Sequence, residues 1–303
     1  MPDHQHLRER TPLAHSLIGL ALTIIALSSL PATAQHAPAA PDSLSRTPQQ
    51  WVAAAAANEL PMIQYDVPYF RFHMLYKGDK GLELRDEIES RDGMVARMIA
   101  KDGRLLTPDE DAAERDRLQH LLDEPSDFYS HHKHDQQDKN RAVNLVKLLP
   151  QAMLFSYAAD QTPVSNSSAP QVVIDYKPNP AFKPPNIEAE ALQGLSGRIW
   201  IDMDSMHMVR MHADVTTEIS FGWGLLARIY RGGTLELDQT DAGPRWMFQR
   251  LDEHLSVRAL IVKSISVNVK LQEGDYSPVA AMGYQDAIRT LLSTPIPTRC
   301  PCN

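Results

Sequence analysis

The chain has 303 residues, 38 acidic against 30 basic side chains, and a formal net charge of −8. An acidic chain without a basic cluster gains little from releasing phosphate counterions, so nucleic acid is not an expected partner. With 14 glycines, 22 prolines and 43% hydrophobic residues, the composition is that of a folded protein with a large core, not a disordered one.

The first 34 residues read as a secretory signal, with Arg8 and Arg10, an apolar run from Leu17 to Leu30, then Pro31 and the small residues Ala32-Thr33-Ala34. The run is shorter than the roughly 20 residues of a membrane-spanning helix. Cleavage near Ala34 is expected to leave a soluble periplasmic or secreted chain. Residues 35–46 form a flexible leader, 47–290 a single domain and 291–303 a C-terminal tail. Cys300 and Cys302 are the only cysteines. A bridge between residues so close is strained, so the pair is expected to be free, bound to metal or shared between chains.

Thr47-Pro48 starts a helix through QQWVAAAAANEL. From Tyr69 the period becomes two, with Phe70, Phe72, Met74 and Tyr76 on one face. GLELRDEIES and MVARMIAK continue as strands, with Leu82, Leu84 and Ile88 alternating against Glu83, Arg85, Glu87 and Glu89. The Asp-Gly pairs at 92 and 102 mark the turns of a meander. Thr107 and Glu110 form a capping box with Pro108 at the first helical position, opening a helix to about Asp123. A second helical region is expected from Asp138, broken at Pro150 and continuing through Met153 and Leu154. QTPVSNSSA is a loop and QVVIDY a strand.

From Gly197 nearly everything reads as strand. The last is expected to be one strand of 17 residues, Leu255 to Leu271, because its apolar residues hold odd positions with only Lys263 out of step. Roughly ten strands and three helical segments, grouped instead of alternating, give an α+β fold with a large curved antiparallel sheet, a half-barrel under a helical lid. So few helices leave part of the concave apolar face uncovered, and wet apolar surface costs about 25 cal/mol per Å². The hollow is a natural container for an acyl chain or hydrophobic peptide.

The order of elements, the Gly-Arg-Ile-Trp-Ile-Asp strand at Gly197 to Asp202 and the following strand with Arg210 resemble the periplasmic lipoprotein-carrier superfamily. That superfamily includes lipoprotein-sorting carriers, lipoprotein receptors and sensors of envelope stress. Pro178-Asn179-Pro180 with Phe182 resembles a loop in secreted proteins of soil bacteria. The resemblance implies binding without chemistry in an apolar cavity, of a hydrophobic ligand or a lipoprotein, with an encounter at a membrane surface. The chain is longer than a minimal carrier.

Candidate ligand-binding residues are Phe70, Phe72, Trp200, Phe221, Trp223, Trp246 and Phe248. The stretch Ser220 to Leu237, with Phe221-Gly222-Trp223-Gly224, reads either as aromatic wall with bendable glycines or as a looped strand connection with core aromatics. The alternative chemistry is soft metal. Met203, Met206, His207, Met208, Met211 and His212 suit Cu(I), but alternation puts Met206, Met208 and His212 on one face and His207 and Met211 on the other. His131-His132-Lys133-His134-Asp135 is expected to be a solvated loop. Asp202 and Asp204 belong to an ordinary hairpin turn. No nucleophile elbow or phosphate loop occurs, so no catalytic residue, metal or cofactor is assigned, and an envelope protein with a purely structural role is the third class.

Overall fold

The computed structural model describes residues 45–64, 68–79, 81–221, 227–259 and 263–300. The predicted signal, most of the leader and Trp223 lie outside the described residues. In chain order the elements are α1 (Pro48–Gln64), β1 (Tyr69–Gly78), β2 (Gly81–Ser90), β3 (Gly93–Lys101), β4 (Arg104–Leu105), α2 (Pro108–Asp123) and α3 (Pro125–Ala152). There follow β5 (Met153–Tyr157), β6 (Gln171–Pro178), α4 (Ile187–Glu190), β7 (Leu195–Asp202), β8 (Met208–Val215), β9 (Ile219–Phe221) and β10 (Ala227–Ile229). β11 (Thr234–Asp241), β12 (Trp246–Ala259), β13 (Lys263–Val279) and α5 (Tyr284–Ser293) complete the chain.

All strands join one open antiparallel sheet, ordered β4-β3-β2-β1-β13-β12-β11-β8-β7-β6-β5, with β10 and β9 attached beside β12. The first four strands and the later ones meet where β1 pairs with β13. The fold is thus α+β with a large curved sheet, as the grouping of elements predicts.

The predicted last strand is in fact a hairpin, with Leu255–Ala259 closing β12 and Lys263 opening β13. The register pairs Val257 with Ile265 and Leu255 with Val267, so odd residues face odd residues across the turn. A turn that preserves parity leaves the alternation unbroken, and nothing in ALIVK has the Gly or Pro that announces a reversal. The second helical region also differs. α3 is one helix of 28 residues from Pro125 at its first position, with Pro150 in its last turn, and Met153 and Leu154 already belong to β5. The His131–Asp135 stretch is therefore helical, with His131 and His134 exposed. Its polar length hides the helix because only the ends pack, through Phe128 and through Val143 and Leu145.

Both expected helix starts are made by side chains. Thr107 Oγ1 accepts from the Glu110 N–H while Glu110 returns a bond to the Thr107 N–H at 2.8 Å. At α1, Thr47 and Gln50 make the same reciprocal pair.

Registered pairs place Phe72, Met74 and Tyr76 of β1 on the same face as Leu271 and Glu273 of β13, Leu251 of β12, Leu237 of β11, Met211 of β8 and Ile199 of β7. This concave face meets α1 and the C-terminal half of α3. The main core lies here, with Trp51 and Val52 of α1 and Leu145 of α3 packed on Ile174, Ile199, Ile201 and Leu237.

At the β1–β4 end the sheet has a second covered face. Ile88 and Val95 pack under α5 (Ala287, Ile288, Leu291), with Leu118 of α2 and Phe128 of α3. Each fully buried aliphatic side chain of this kind is worth about 1.5–3 kcal/mol relative to exposure. Because α5 takes the apolar side of β2, the charged side, Glu83 to Glu89, turns toward the concave face. The C-terminal helix runs three residues past the expected boundary at 290. It is fixed by Arg97, whose guanidinium donates to the carbonyls of Leu291 at 2.6 Å and Thr294 at 2.8 Å and to Asp111 Oδ1 at 2.7 Å. Among the described residues no helix is long and apolar enough to cross a membrane. Cys300 is disulfide-bonded, which removes the expected free and metal-bound alternatives for it, and packs beside Leu84, Ile99 and Ala100. The sequence has one other cysteine, Cys302, outside the described residues.

Candidate functional site: a cavity under the helices

Between the concave face and the two covering helices lies a cavity of about 470 Å³. That volume is within the range of small-molecule sites, roughly 300–1,000 Å³. α1 contributes Val52, Ala55, Met62 and Ile63 to the wall, and α3 contributes Ala142, Leu145, Val146 and Leu149. The sheet supplies Ile199 and Ile201 from β7, Leu235 and Leu237 from β11, and Leu271 from β13. Met94, 39% exposed, borders it on β3 near Asp135 and Asp138 of α3, where the cavity meets solvent.

Two bulges shape this wall. Ile201 pairs with Met208 but Trp200 pairs with Arg210, leaving Val209 as an extra residue. Strict alternation puts Met208 and Met211 on opposite faces; the bulge brings both to the cavity. The second bulge, between Asp238 and Gln239, likewise swings Phe248 inward opposite Gln239. Gly197 on β7 allows the Tyr176 ring of β6 to lie across it, with the phenol donating to the His212 carbonyl at 3.1 Å. A Cβ at Gly197 would stand 2.0 Å from that carbonyl oxygen, so no larger residue fits without moving the backbone.

Of the seven aromatic candidates, Phe72, Trp246 and Phe248 line the cavity. Phe70 is fully buried behind the wall, edge-on to Tyr276 with ring centres 6.3 Å apart. Trp200 faces away from the cavity: it lies opposite Arg210 across the bulge, and its indole N–H donates to the Thr162 carbonyl at 3.0 Å. Phe221 is core on β9, and Trp223 is outside the described residues. Aromatic content singled out these positions, whereas the aliphatic and thioether wall depends on which face each strand turns inward. The imidazoles of the Met/His hairpin do not converge. His207 stacks on Trp246 at 5.0 Å, and His212 lies on the outer face near Asp214 and Glu236. Among the described residues no group of three or more His, Cys, Asp or Glu side chains is arranged to hold a metal ion.

The cavity has polar groups that neither pattern nor motif indicated. Glu59 of α1, 4% exposed, accepts from the Met208 N–H at 3.0 Å and from Gln239 Nε2 at 2.9 Å, tying the lid helix to the sheet. Glu89 accepts from the Phe70 N–H at 2.8 Å and pairs with Arg245 at 2.5 Å. Glu273 is held well above the ordinary carboxyl range by burial and by Glu87 and Glu89 nearby. Burial pushes Glu87 up to about 7, opposed by Arg85 and reinforced by Asp86, Asp135 and Glu89. Glu253 of β12 is 0% exposed, opposite Leu235 of β11 and Val269 of β13, and burial alone pushes it up to about 8. Neither of its carboxyl oxygens has a hydrogen-bond partner among the described residues.

No family model, no curated protein and no solved structure matches this chain. Fold and site define an α+β protein whose open, curved antiparallel sheet and two covering helices enclose a mainly apolar cavity.

Proposed function

We propose that the protein is exported and, without catalysing a reaction, binds an apolar ligand (an acyl chain, lipid or lipoprotein) between the curved sheet and helices α1 and α3. The observation that carries the reading is the cavity of about 470 Å³ with its aliphatic and thioether wall, left unfilled by the chain's own side chains. An apolar wall of that extent left without partner atoms or facing water is costly, and an alkyl chain supplies the missing contacts. Methionines suit such a wall because their unbranched side chains adapt to ligands of differing shape. The export signal and the resemblance of Gly197–Arg210 to lipoprotein carriers support a cargo drawn from an envelope.

Native mass spectrometry on protein isolated from its own periplasm tests this. The expected result is a lipid-mass adduct that disappears on organic extraction, after which the stripped protein binds the neutral dye Nile red. A bare chain that also fails to bind the dye refutes the proposal.

A further inference from the structure

Apart from Glu59 and Gln239, a group of charged side chains of the cavity lies where β2, β1 and β13 run side by side. Glu273 is on the wall, and so are Arg85 and Glu89, which flank Glu87 on the inward side of β2. Glu87 is opposite Phe72 and Glu273 opposite Met74 on the two sides of β1, so both carboxylates lean over the same strand. The nearby cations are engaged elsewhere: Arg245 binds Glu89 and Arg85 binds Glu83, each at 2.5 Å. Glu87 is 2% exposed and makes no hydrogen bond or ion pair among the described residues. Glu273 is 3.4 Å from the Tyr276 hydroxyl, whose single proton is directed to the Phe248 carbonyl. Toward solvent, α3 adds Asp135 and Asp138, with Lys139 following them.

Glu87, buried without a donor, and Glu273, half-buried with only a long contact to an already engaged hydroxyl, are costly to the fold unless something supplies the missing bonds. We infer that this end of the cavity receives the ammonium head of a cationic amphiphile, with Glu87 and Glu273 as acceptors and the aliphatic wall holding the alkyl chain. An ammonium brings three donors and no acceptor, which complements two carboxylates that lack donors. The ammonium charge draws the two carboxyl groups into their ionised form, their protons passing to solvent, whereas a carboxylate head either leaves them protonated or meets like charge, and an alcohol brings a single neutral donor. The preference is therefore set by charge as well as by donor count. The inference rests on the proposed apolar-ligand function and specifies the head group that function selects.

Displacement of Nile red from the purified, delipidated protein by dodecylamine, dodecanol and dodecanoate separates the two ideas. In the wild type, dodecylamine is expected to displace the dye at a concentration about tenfold below dodecanol, the ratio of one charge-assisted hydrogen bond, and dodecanoate least well. In the Glu87→Gln, Glu273→Gln double variant the amine is expected to lose that advantage while dodecanol is unchanged, which also certifies that the cavity is still folded. Dodecanoate competing as well as dodecylamine overturns the head-group inference but leaves the container intact. An amine preference that survives in the double variant overturns the assignment to these two residues. If neither dye nor any amphiphile binds the wild type, the container reading itself falls.

Discussion

Replacing Glu253 by Gln removes a carboxyl group from the apolar floor while keeping its shape. The folded-state value of about 8 stands against an ordinary 4.5, with burial as its cause. A raised carboxyl value means that the folded protein holds the proton more tightly than the unfolded chain. The stability it contributes is complete below about pH 4.5 and is lost progressively as pH rises to about 8. At about 1.4 kcal/mol per pH unit the loss between pH 5 and pH 8 has a ceiling of about 4 kcal/mol, and water entry on ionisation brings it nearer to about 2. The carboxamide of Glu253→Gln cannot ionise, so the variant escapes this loss. Glu87 and Glu273 titrate in both proteins and cancel in the difference. In urea titrations of delipidated protein, Glu253→Gln is expected to match the wild type within about 1 kcal/mol at pH 5 and to exceed it by about 2–4 kcal/mol at pH 8.5. The same gap raises the melting temperature by roughly 5–15 °C at the higher pH. A difference that does not change between the two pH values would show that the Glu253 carboxyl is hydrated, and the argument for a dry floor would collapse.

Gly197→Ala forces a methyl group into the His212 carbonyl and is expected to destabilise by about 1–3 kcal/mol or more, read as a lower urea midpoint; an unchanged midpoint contradicts the close approach of β7 to β8 and Tyr176. Arg97→Ala removes the guanidinium that ties the end of α5 to α2, leaves the Thr294 carbonyl without a donor and the Leu291 carbonyl with only the bond from the Thr294 N–H, and unpairs Asp111, at a cost of about 3–5 kcal/mol. Hydrogen exchange should show α5 losing protection first, and uniform loss over the whole chain would contradict its local role. Ala142→Trp projects an indole from α3 into the cavity; Nile red binding should fall at least tenfold with the far-ultraviolet circular dichroism unchanged, whereas full binding would place the ligand elsewhere. Thr107→Ala opens the capping box of α2 and should cost about 1 kcal/mol, measured by thermal melting.

Local chemistry written in the sequence set many of the elements. Thr107-Pro108 with Glu110, Thr47-Pro48 with Gln50 and the Asp-Gly turns after β2 and β3 act within a few residues, so their structural outcome follows from side chains already adjacent in the chain. The grouping of helices and strands likewise implied an antiparallel α+β sheet. Alternation alone failed where a tertiary partner or a bulge chose the face. It ran through the β12–β13 turn because Val257 and Ile265 keep the same parity, and it separated Met208 from Met211 because Val209 inserts one unpaired residue. It also gave no direction to β2: only the docking of α5 on Ile88 turned Glu87 and Glu89 toward the cavity. Period-two patterning states that a strand has two unlike faces. Which face lies inside is decided by what packs against the sheet from distant parts of the chain, and the cavity with its unpartnered carboxyl groups exists only at that level.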